Sequence, residues 1–476
     1  MDTAIWWIRR DLRLQDNQAL HAALNTARRV VPVFVLDASL WGSDRVGERR
    51  LAFLVEGLRA LAAELEQRGS RLIVASGDPR RALAKLAAET AAEAIYAEAD
   101  YSPYARSRDG AMARVLPLHF TAGATVFPPE LVRRQDGEPY TIYTPFSQAW
   151  KRLPMPDAGE ILRVPDRFPA VEAVESESLP ALAPAFGEPL DGAGERVAHR
   201  KLAAFIADRV GCYAPDRDRM DLDGTSGLSP YLRFGMLSAR QAVVAALQAR
   251  PASSQCEGHR GAETWLNELI WREFYMSILY HFPEVSRQSF RASLRGIAWR
   301  NRPEDFAAWS EGRTGYPVVD AAMRQLLATG WMHNRGRMIV ASFLTKDLLV
   351  DWRLGERFFM QQLIDGDPAA NNGGWQWSAG TGTDAAPYFR IFNPVLQGGK
   401  YDPEGRYVRK WVPELSGVPL PYLHRPWTMP ASTQREVGCI IGEHYPQPIV
   451  DHAWARGQTL AAYAAAKGER AVYAGD

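Results

Sequence analysis

Thr3-Ala4-Ile5-Trp6-Trp7-Ile8, followed at once by Arg9-Arg10-Asp11-Leu12-Arg13, is an apolar run of strand length that stops dead in a charged turn. Such a run is how a strand buried on both faces reads. Four more strand candidates lie downstream: Val30–Leu36, Arg71–Ala75, Ala94–Ala97 and Thr125–Phe127. Between them come alanine- and leucine-rich helical stretches, such as Arg49–Arg68 and Pro79–Ala91. Strands alternating with helices predict a parallel α/β sheet over residues 1–130. The turn after the first strand has no G-x-G-x-x-G and no G-x-x-x-x-G-K-[ST]. The two commonest phosphate-cradling loops are therefore absent.

From about Leu153 to Glu195 the chain is rich in Pro, Ala and Glu and only weakly periodic, which predicts an interdomain connector over 131–198. Beyond His199 strand signals nearly vanish. Helical patterns recur at Lys201–Val210, Glu263–Tyr280, Tyr316–Thr329, Arg337–Leu349, Leu354–Ile364 and Gln458–Lys467. No internal repeat is visible. The expected architecture is an α/β parallel-sheet N-terminal domain followed by an all-α domain over 199–476.

Bulk properties narrow the function classes. A chain of 476 residues, 46% apolar and 23% charged, is a globular protein of two or three domains. No apolar run reaches the roughly 20 residues of a membrane span, and the first residues lack the pattern of a signal peptide. A cytoplasmic location is expected, nucleoid-associated if the source is bacterial. A net charge of +1 argues against a nucleic-acid coating protein, though not against an enzyme with one local basic patch. All but seven of the 56 basic residues are arginine, an excess for which codon bias is a better account than phosphate binding. Cys212, Cys256 and Cys439 are odd in number and far apart, and read as small buried thiols without disulfides. No spacing suggests a metal site.

Four segments carry chemistry. Trp265, Glu268, Trp271, Arg272 and Tyr275 fall at three- and four-residue steps, so one helix face mixes large aromatics with a carboxylate and a guanidinium. Asn334, Arg337 and Met338 share a face of a second helix. The stretch Asp365–Arg390, DGDPAANNGGWQWSAGTGTDAAPYFR, reads as a ligand-binding loop, because its glycines allow close backbone approach and its asparagines can donate and accept. Thr225-Ser226-Gly227-Leu228-Ser229-Pro230 reads as a helix start, with Ser229 as N-cap and Pro230 at the first position, where hydroxyls and free N–H groups suit an anion. In addition, Arg287, Arg291 and Arg295 repeat every four residues, with Arg300 and Arg302 following and no acid from Val285 to Pro303. That pattern predicts a helical basic stripe for phosphates.

Taken in order, WWIRRDLRLQDNQAL, GTSGLSPYLRFG, TWLNELIWREFY, GYPVVDAAMRQLLATGWMHNRGRM and DGDPAANNGGWQWSAGTGTDAAPYFRIFNP resemble the photolyase–cryptochrome family over almost the whole chain. The resemblance implies a light-driven enzyme that splits cyclobutane pyrimidine dimers in DNA, using fully reduced, anionic flavin adenine dinucleotide. It implies that Tyr213, Thr225, Ser226 and Ser229 hold the cofactor's phosphates and ribityl chain, with Trp265 and Arg272 nearby. Arg337 and Asp365 would pair along the isoalloxazine edge, Asp367 would contact the ring, Asn334 would line the same pocket, and Asn371 would face N5. For the lesion it implies Glu268, Trp271, Asn334, Met338 and Trp377, with Arg390 on the DNA side. Trp375, Trp352 and Trp299 match the chain that re-reduces oxidised flavin. In ADYSPYARSRDGAMAR, Ala105 stands where folate binders carry a glutamate, and the region before Trp299 lacks their Cys-Lys pair. A deazaflavin antenna, or none, is favoured over folate. Expected partners are ultraviolet-damaged DNA and no membrane, and the expected state is a monomer. The competing function within the family is a blue-light photoreceptor without repair activity; Asn371, Glu268 and Met338 favour repair.

Overall fold

The computed structural model describes residues 1–164, 168, 174–182, 190–249 and 258–468. They form two compact units, neither of them a continuous stretch. The first comprises 1–214, 225–283 and 364–369, the second 215–224, 284–363 and 370–476.

The first unit is built on five parallel strands: β1 (Thr3–Ile8), β2 (Arg29–Asp37), β3 (Ile73–Gly77), β4 (Ala94–Glu98) and β5 (Leu118–Thr121), in the order β3-β2-β1-β4-β5. Ile5 lies opposite Val31 on one side and Ile95 on the other. β1 is central and every one of its residues is buried, which explains its unbroken apolar sequence. The helices that cover the sheet include α1 (Gln18–Thr26), α2 (Glu48–Glu66), α3 (Pro79–Thr90) and α4 (Pro103–Met112). Asn17, Asp78 and Ser102 accept backbone N–H bonds at the starts of α1, α3 and α4, the usual remedy for orphan amides. The fifth strand is not the expected Thr125–Phe127. There, Val126 and Phe127 donate their N–H groups to the Glu273 carboxylate, at 2.5 and 3.5 Å, so a side chain takes the bonds a ladder would have used.

This unit continues with α5 (Tyr143–Trp150), α6 (Glu195–Asp208), α7 (Ser229–Arg233), α8 (Ala239–Gln248) and the long α9 (Gly258–His281). The turn after β1 is locked into it. Arg13, 1% exposed, binds Glu98 at 2.5 Å and the Gly235 carbonyl at 3.1 Å. Gly235 has φ +63°, and a Cβ there would sit 1.9 Å from the Arg10 carbonyl oxygen, so only glycine fits. Glu195, at the start of α6, accepts the N–H groups of Leu14 and Gln15 at 2.7 and 3.0 Å. Burial outweighs those two bonds and pushes its carboxyl up to about 7. A folded-state value above the unfolded one stabilises the fold at low pH, and that contribution fades as pH rises through about 7. The stability of Glu195→Gln relative to wild type should therefore improve from pH 5 to about pH 7 and level off above it in thermal melts; a pH-independent difference would contradict this.

The second unit is helical: α10 (Pro317–Thr329), α11 (Asn334–Ser342), α12 (Trp352–Gln362), α13 (Pro368–Ala379, from Ala370 onward) and α14 (His452–Lys467) are its principal elements. Its core gathers Trp309, Val319, Met323, Leu326, Val340, Leu344, Trp352, Phe359 and Trp375. Between α11 and α12 the chain makes one π-helical turn, Phe343–Asp347.

Three further expectations change. The glycine-rich segment is not a loop throughout, because its first part is α13. The basic stripe is not a helix: Val285–Pro303 contains only the short 3₁₀ turns Pro283–Ser286 and Ala292–Leu294. The Arg291 amide is drawn to the Thr381 carbonyl and Arg295 Nε to the Ser289 carbonyl, bonds a continuous helix would not make. Cys212 is disulfide-bonded, since cysteines remote in sequence can meet in a fold, while Cys439 is free and buried. Cys256 lies outside the described residues.

Candidate functional site

In the first unit the segment 364–369 returns to the turn after β1. Asp367 accepts Arg10 at 2.5 Å and the Ala369 N–H at 2.9 Å. Asp100 stands 3.6 Å from Arg10, and Arg233 stands 3.9 Å from Asp367. Arg272 gives its two terminal nitrogens to the carbonyls of Ala124 and Leu232. Burial disfavours the charge on Arg10, yet Asp367 and Asp100 overcome it and hold the guanidinium above its ordinary value. On Arg233, burial and the neighbouring Arg10 prevail, and its value falls. Burial likewise lowers Arg272. Asp367 thus sits among three buried cations.

Ser229 is not the N-cap of α7. That place belongs to Leu228, and the Ser229 hydroxyl donates to Asp365 at 2.6 Å. A carboxylate acceptor draws the hydroxyl more strongly than a backbone amide would. Gly227 takes φ +62° in the same turn, and Ser226 Oγ accepts the Leu228 N–H at 3.4 Å. Tyr213 and Trp265 are joined by Phe205, whose ring lies 5.7 Å from one and 5.0 Å from the other. Thr225 and Ser226 are half-buried.

On α9, Glu268 and Trp271 are half-buried while Trp265 is buried. The Trp271 indole lies parallel to the Tyr143 ring, 3.7 Å between centroids.

In the second unit, Asn334 is exposed and its Nδ2 approaches Met338 Sδ at 3.9 Å, while Arg337 Nε donates to the Met332 carbonyl at 2.9 Å. The three share a face of α11, as their spacing predicted. Asn371, on α13, directs its amide nitrogen at Glu356, 3.0 Å from both the backbone oxygen and Oε1. That leaves the amide oxygen to meet a ligand, as an acceptor. Trp375 and Trp377, two residues apart on the same helix, differ in burial, 2% exposed against half-buried. Trp375 packs on Phe359 at 5.0 Å and Trp309 at 6.0 Å. Trp352 is 2% exposed, whereas Trp299 is partly exposed and meets Tyr463 edge-on at 6.1 Å. Arg390 is exposed, and its carbonyl accepts Lys346.

Four residues with a part in this arrangement were missed from sequence: Arg10, Arg233, Tyr143 and Glu356. Only Glu356 left a signal, an acid at the spacing of Trp352 and Phe359 on a buried helix face, itself 5% exposed.

Residues 4–167 match the family described as DNA photolyase, and residues 265–465 the family described as the FAD binding domain of DNA photolyase. The deoxyribodipyrimidine photo-lyase of Escherichia coli strain K12 is 42% identical, covering 98% of this chain and 99% of its own. A bacterial class III photolyase from Agrobacterium tumefaciens superposes with a TM-score of 0.91 at 39% identity, covering 98% of each chain. A cryptochrome from Synechocystis sp. PCC6803 superposes with a TM-score of 0.86 at 28% identity, covering 96% of this chain and 98% of its own.

Proposed function

The chain belongs to the DNA photolyase family, and from that premise we propose that it splits cyclobutane pyrimidine dimers in DNA, in light, as a flavin-dependent carbon–carbon lyase. The observation that carries this reading is full-length similarity to deoxyribodipyrimidine photo-lyases at about the 42% level.

The donor set suits flavin adenine dinucleotide. Hydroxyls of Thr225 and Ser226, with the turn at Gly227, match phosphates, and the Ser229 oxygen, its proton given to Asp365, would accept from a ribityl hydroxyl; Asp365, Arg337 and Asn371 match the polar edge of an isoalloxazine. The oxygen that Asn371 keeps as acceptor suits the N5–H of a reduced ring, and Glu356 fixes that choice. Held there, reduced flavin would supply light-driven electron donation to the dimer with no net change of redox state.

The protein's own share is binding, orientation and charge control. The dimer must leave the base stack to be reached, as is general for photolyases. On the family's pattern Trp271 and Trp377 would serve as aromatic walls and Met338 and Asn334 would contact the lesion, while Glu268, as its carboxylic acid, would donate a hydrogen bond to a pyrimidine edge where negative charge develops. Removing one such donor costs on the order of 10²-fold in the chemical step. Repair per absorbed photon is a branching ratio between ring opening and electron return, so Glu268→Ala should lower it by less than that, several-fold, with flavin still bound. Loss of the flavin absorbance would instead assign Glu268 to the cofactor.

By division of labour, residues 1–130 are proposed as the antenna-type domain, 131–198 as the connector and 199–476 as the catalytic domain of a cytoplasmic monomer. No helix among the described residues is long and apolar enough to cross a membrane. Ala105 is buried in α4 and offers no carboxylate, which supports a deazaflavin antenna over folate. Chromophore extracted from purified protein should show the deazaflavin spectrum or none, and a folate spectrum would refute this.

The deciding test is a defined thymine dimer in single- and double-stranded oligonucleotides, incubated with reduced protein in blue light and in darkness. Intact thymines appearing only in light are expected. Binding without repair would favour the photoreceptor function.

A further inference from the structure

We propose that Tyr143 is the positioning residue of the lesion wall, fixing the plane of the Trp271 indole so that one face alone remains to stack on the flipped dimer. The inference rests on reading Trp271 as that wall, and it adds a residue that touches neither cofactor nor substrate.

Tyr143 opens α5, and its ring lies 3.7 Å from that of Trp271 with an interplanar angle of 3°. A fully overlapped sandwich is not what two rings choose for themselves, since their quadrupoles favour an offset or an edge-on arrangement. The other contacts of Trp271 follow that preference: Phe274 is edge-on at 5.5 Å and 81°, and Tyr275 tilted at 5.5 Å and 35°. Something therefore holds Tyr143 in place. Its hydroxyl donates to the Asn267 carbonyl at 2.8 Å. Asn267 is four residues before Trp271, so this carbonyl lies in the very helical turn that carries the indole. The phenol spans from that turn to the indole face, and the two rings are tied to one piece of backbone.

The helix behind Tyr143 is fastened too. Trp150, at the end of α5, donates Nε1 to Glu273 at 2.7 Å, and Lys151 pairs with Glu263 at 3.2 Å. Glu273 also takes the amides of Val126 and Phe127, and is buried. α5 is thereby pinned along α9 on both sides of Trp271. With one face covered by Tyr143 and its flanks by Phe274 and Tyr275, the indole cannot turn with the substrate. A dimer is bent and rigid, unlike two stacked pyrimidines. A wall of fixed plane discriminates between them, whereas a mobile indole would adapt to both.

The test uses the full chain with its flavin, measuring in darkness the affinity for one oligonucleotide with and without a single thymine dimer. Trp271→Leu should cut the damaged-to-undamaged ratio tenfold or more. Tyr143→Leu should cut it about 2- to 10-fold, the worth of one aromatic pair, with undamaged binding unchanged and the near-ultraviolet dichroism of the stacked pair lost. Tyr143→Phe keeps the ring and loses the tether, and should fall between wild type and Tyr143→Leu; it carries the test alone if the leucine variant does not fold. A wild-type ratio in both Tyr143 variants, with Trp271→Leu impaired, overturns the role of Tyr143 and leaves the wall intact. A wild-type ratio in Trp271→Leu removes the wall itself, and the inference with it.

Discussion

Replacing Asp367 with alanine should lower the stability of the first unit by about 3–5 kcal/mol and strip the protein of flavin. The size follows from what the carboxylate leaves behind. Arg10 binds it at 2.5 Å, Arg233 stands at 3.9 Å, and Arg272 feels its charge; Arg10 and Arg233 have side chains only 15% exposed. Removing one partner of a buried pair costs that much because the remaining charge is neither solvated nor compensated. Asp100, 3.6 Å from Arg10, is one anion among three cations and cannot neutralise them. Asp367→Asn keeps an acceptor for the Ala369 N–H and should lose less. Urea midpoints read the stability, and the flavin absorbance after gel filtration reads retention. A wild-type midpoint in Asp367→Ala would mean that the cations are solvated in solution.

The second large effect is expected from Trp375→Phe, which should abolish light-driven re-reduction of oxidised flavin while leaving repair by chemically pre-reduced protein intact. Trp375 is 2% exposed, and its Nε1 is buried with no hydrogen-bond partner among the described residues. An oxidised indole there has no base to take its proton. It remains a cation that can only recover an electron, and Trp352, equally buried, is proposed to supply it. Trp299 is partly exposed, so the hole would come to rest where solvent can take the proton. Phenylalanine, far harder to oxidise, keeps the ring against Phe359 and breaks the relay at its first member. The packing cost is on the order of 1–3 kcal/mol. Absorbance under illumination with an external thiol reads the first effect, and dimer repair after dithionite the second. Undiminished photoreduction would show that another donor serves the flavin.

Gly355 explains why the packing around Trp375 is so tight. A Cβ at that position would lie 2.1 Å from Trp375 Cη2 and 2.7 Å from Leu344 Cδ2. The glycine lets α12 approach the indole directly.

Local pattern made much of this molecule legible. β1 was delimited to the residue because a central strand of a parallel sheet is buried on both faces and shows no alternation. The pair Asn334–Met338 and the face of α9 followed from helical spacing alone. What could not be read was set by distant partners. Thr125–Phe127 has the composition of a strand, and became an anchor because Glu273 captures its amides. Ser229 has the chemistry of a cap, and its hydroxyl went to Asp365 instead. Asp365–Arg390 is dense in glycine and asparagine, poor helix formers, yet residues 368–379 are helical, since Pro368 suits a first turn and Trp375 buries itself in a core. Arg287, Arg291 and Arg295 have helical spacing, but the Arg291 amide bonds the Thr381 carbonyl and Arg295 Nε the Ser289 carbonyl, so tertiary partners hold the segment in short turns. Tyr143 is separated in sequence from Trp271 by more than a hundred residues, and nothing in its neighbourhood announces the stack.

The bond between Arg10 and Asp367 spans 357 residues, and this fixes an order of events on the ribosome. All five strands have been synthesised once Thr121 is made, but Arg10 must wait for Asp367. At typical rates of elongation that interval lasts roughly 10 to 50 seconds, during which the nascent sheet carries an incomplete ion cluster with only Asp100 at hand. A message truncated before Asp367 would yield a first turn held by Glu98 and Glu195 but with Arg10 short of its strongest partner, making such fragments natural clients for chaperones and proteases.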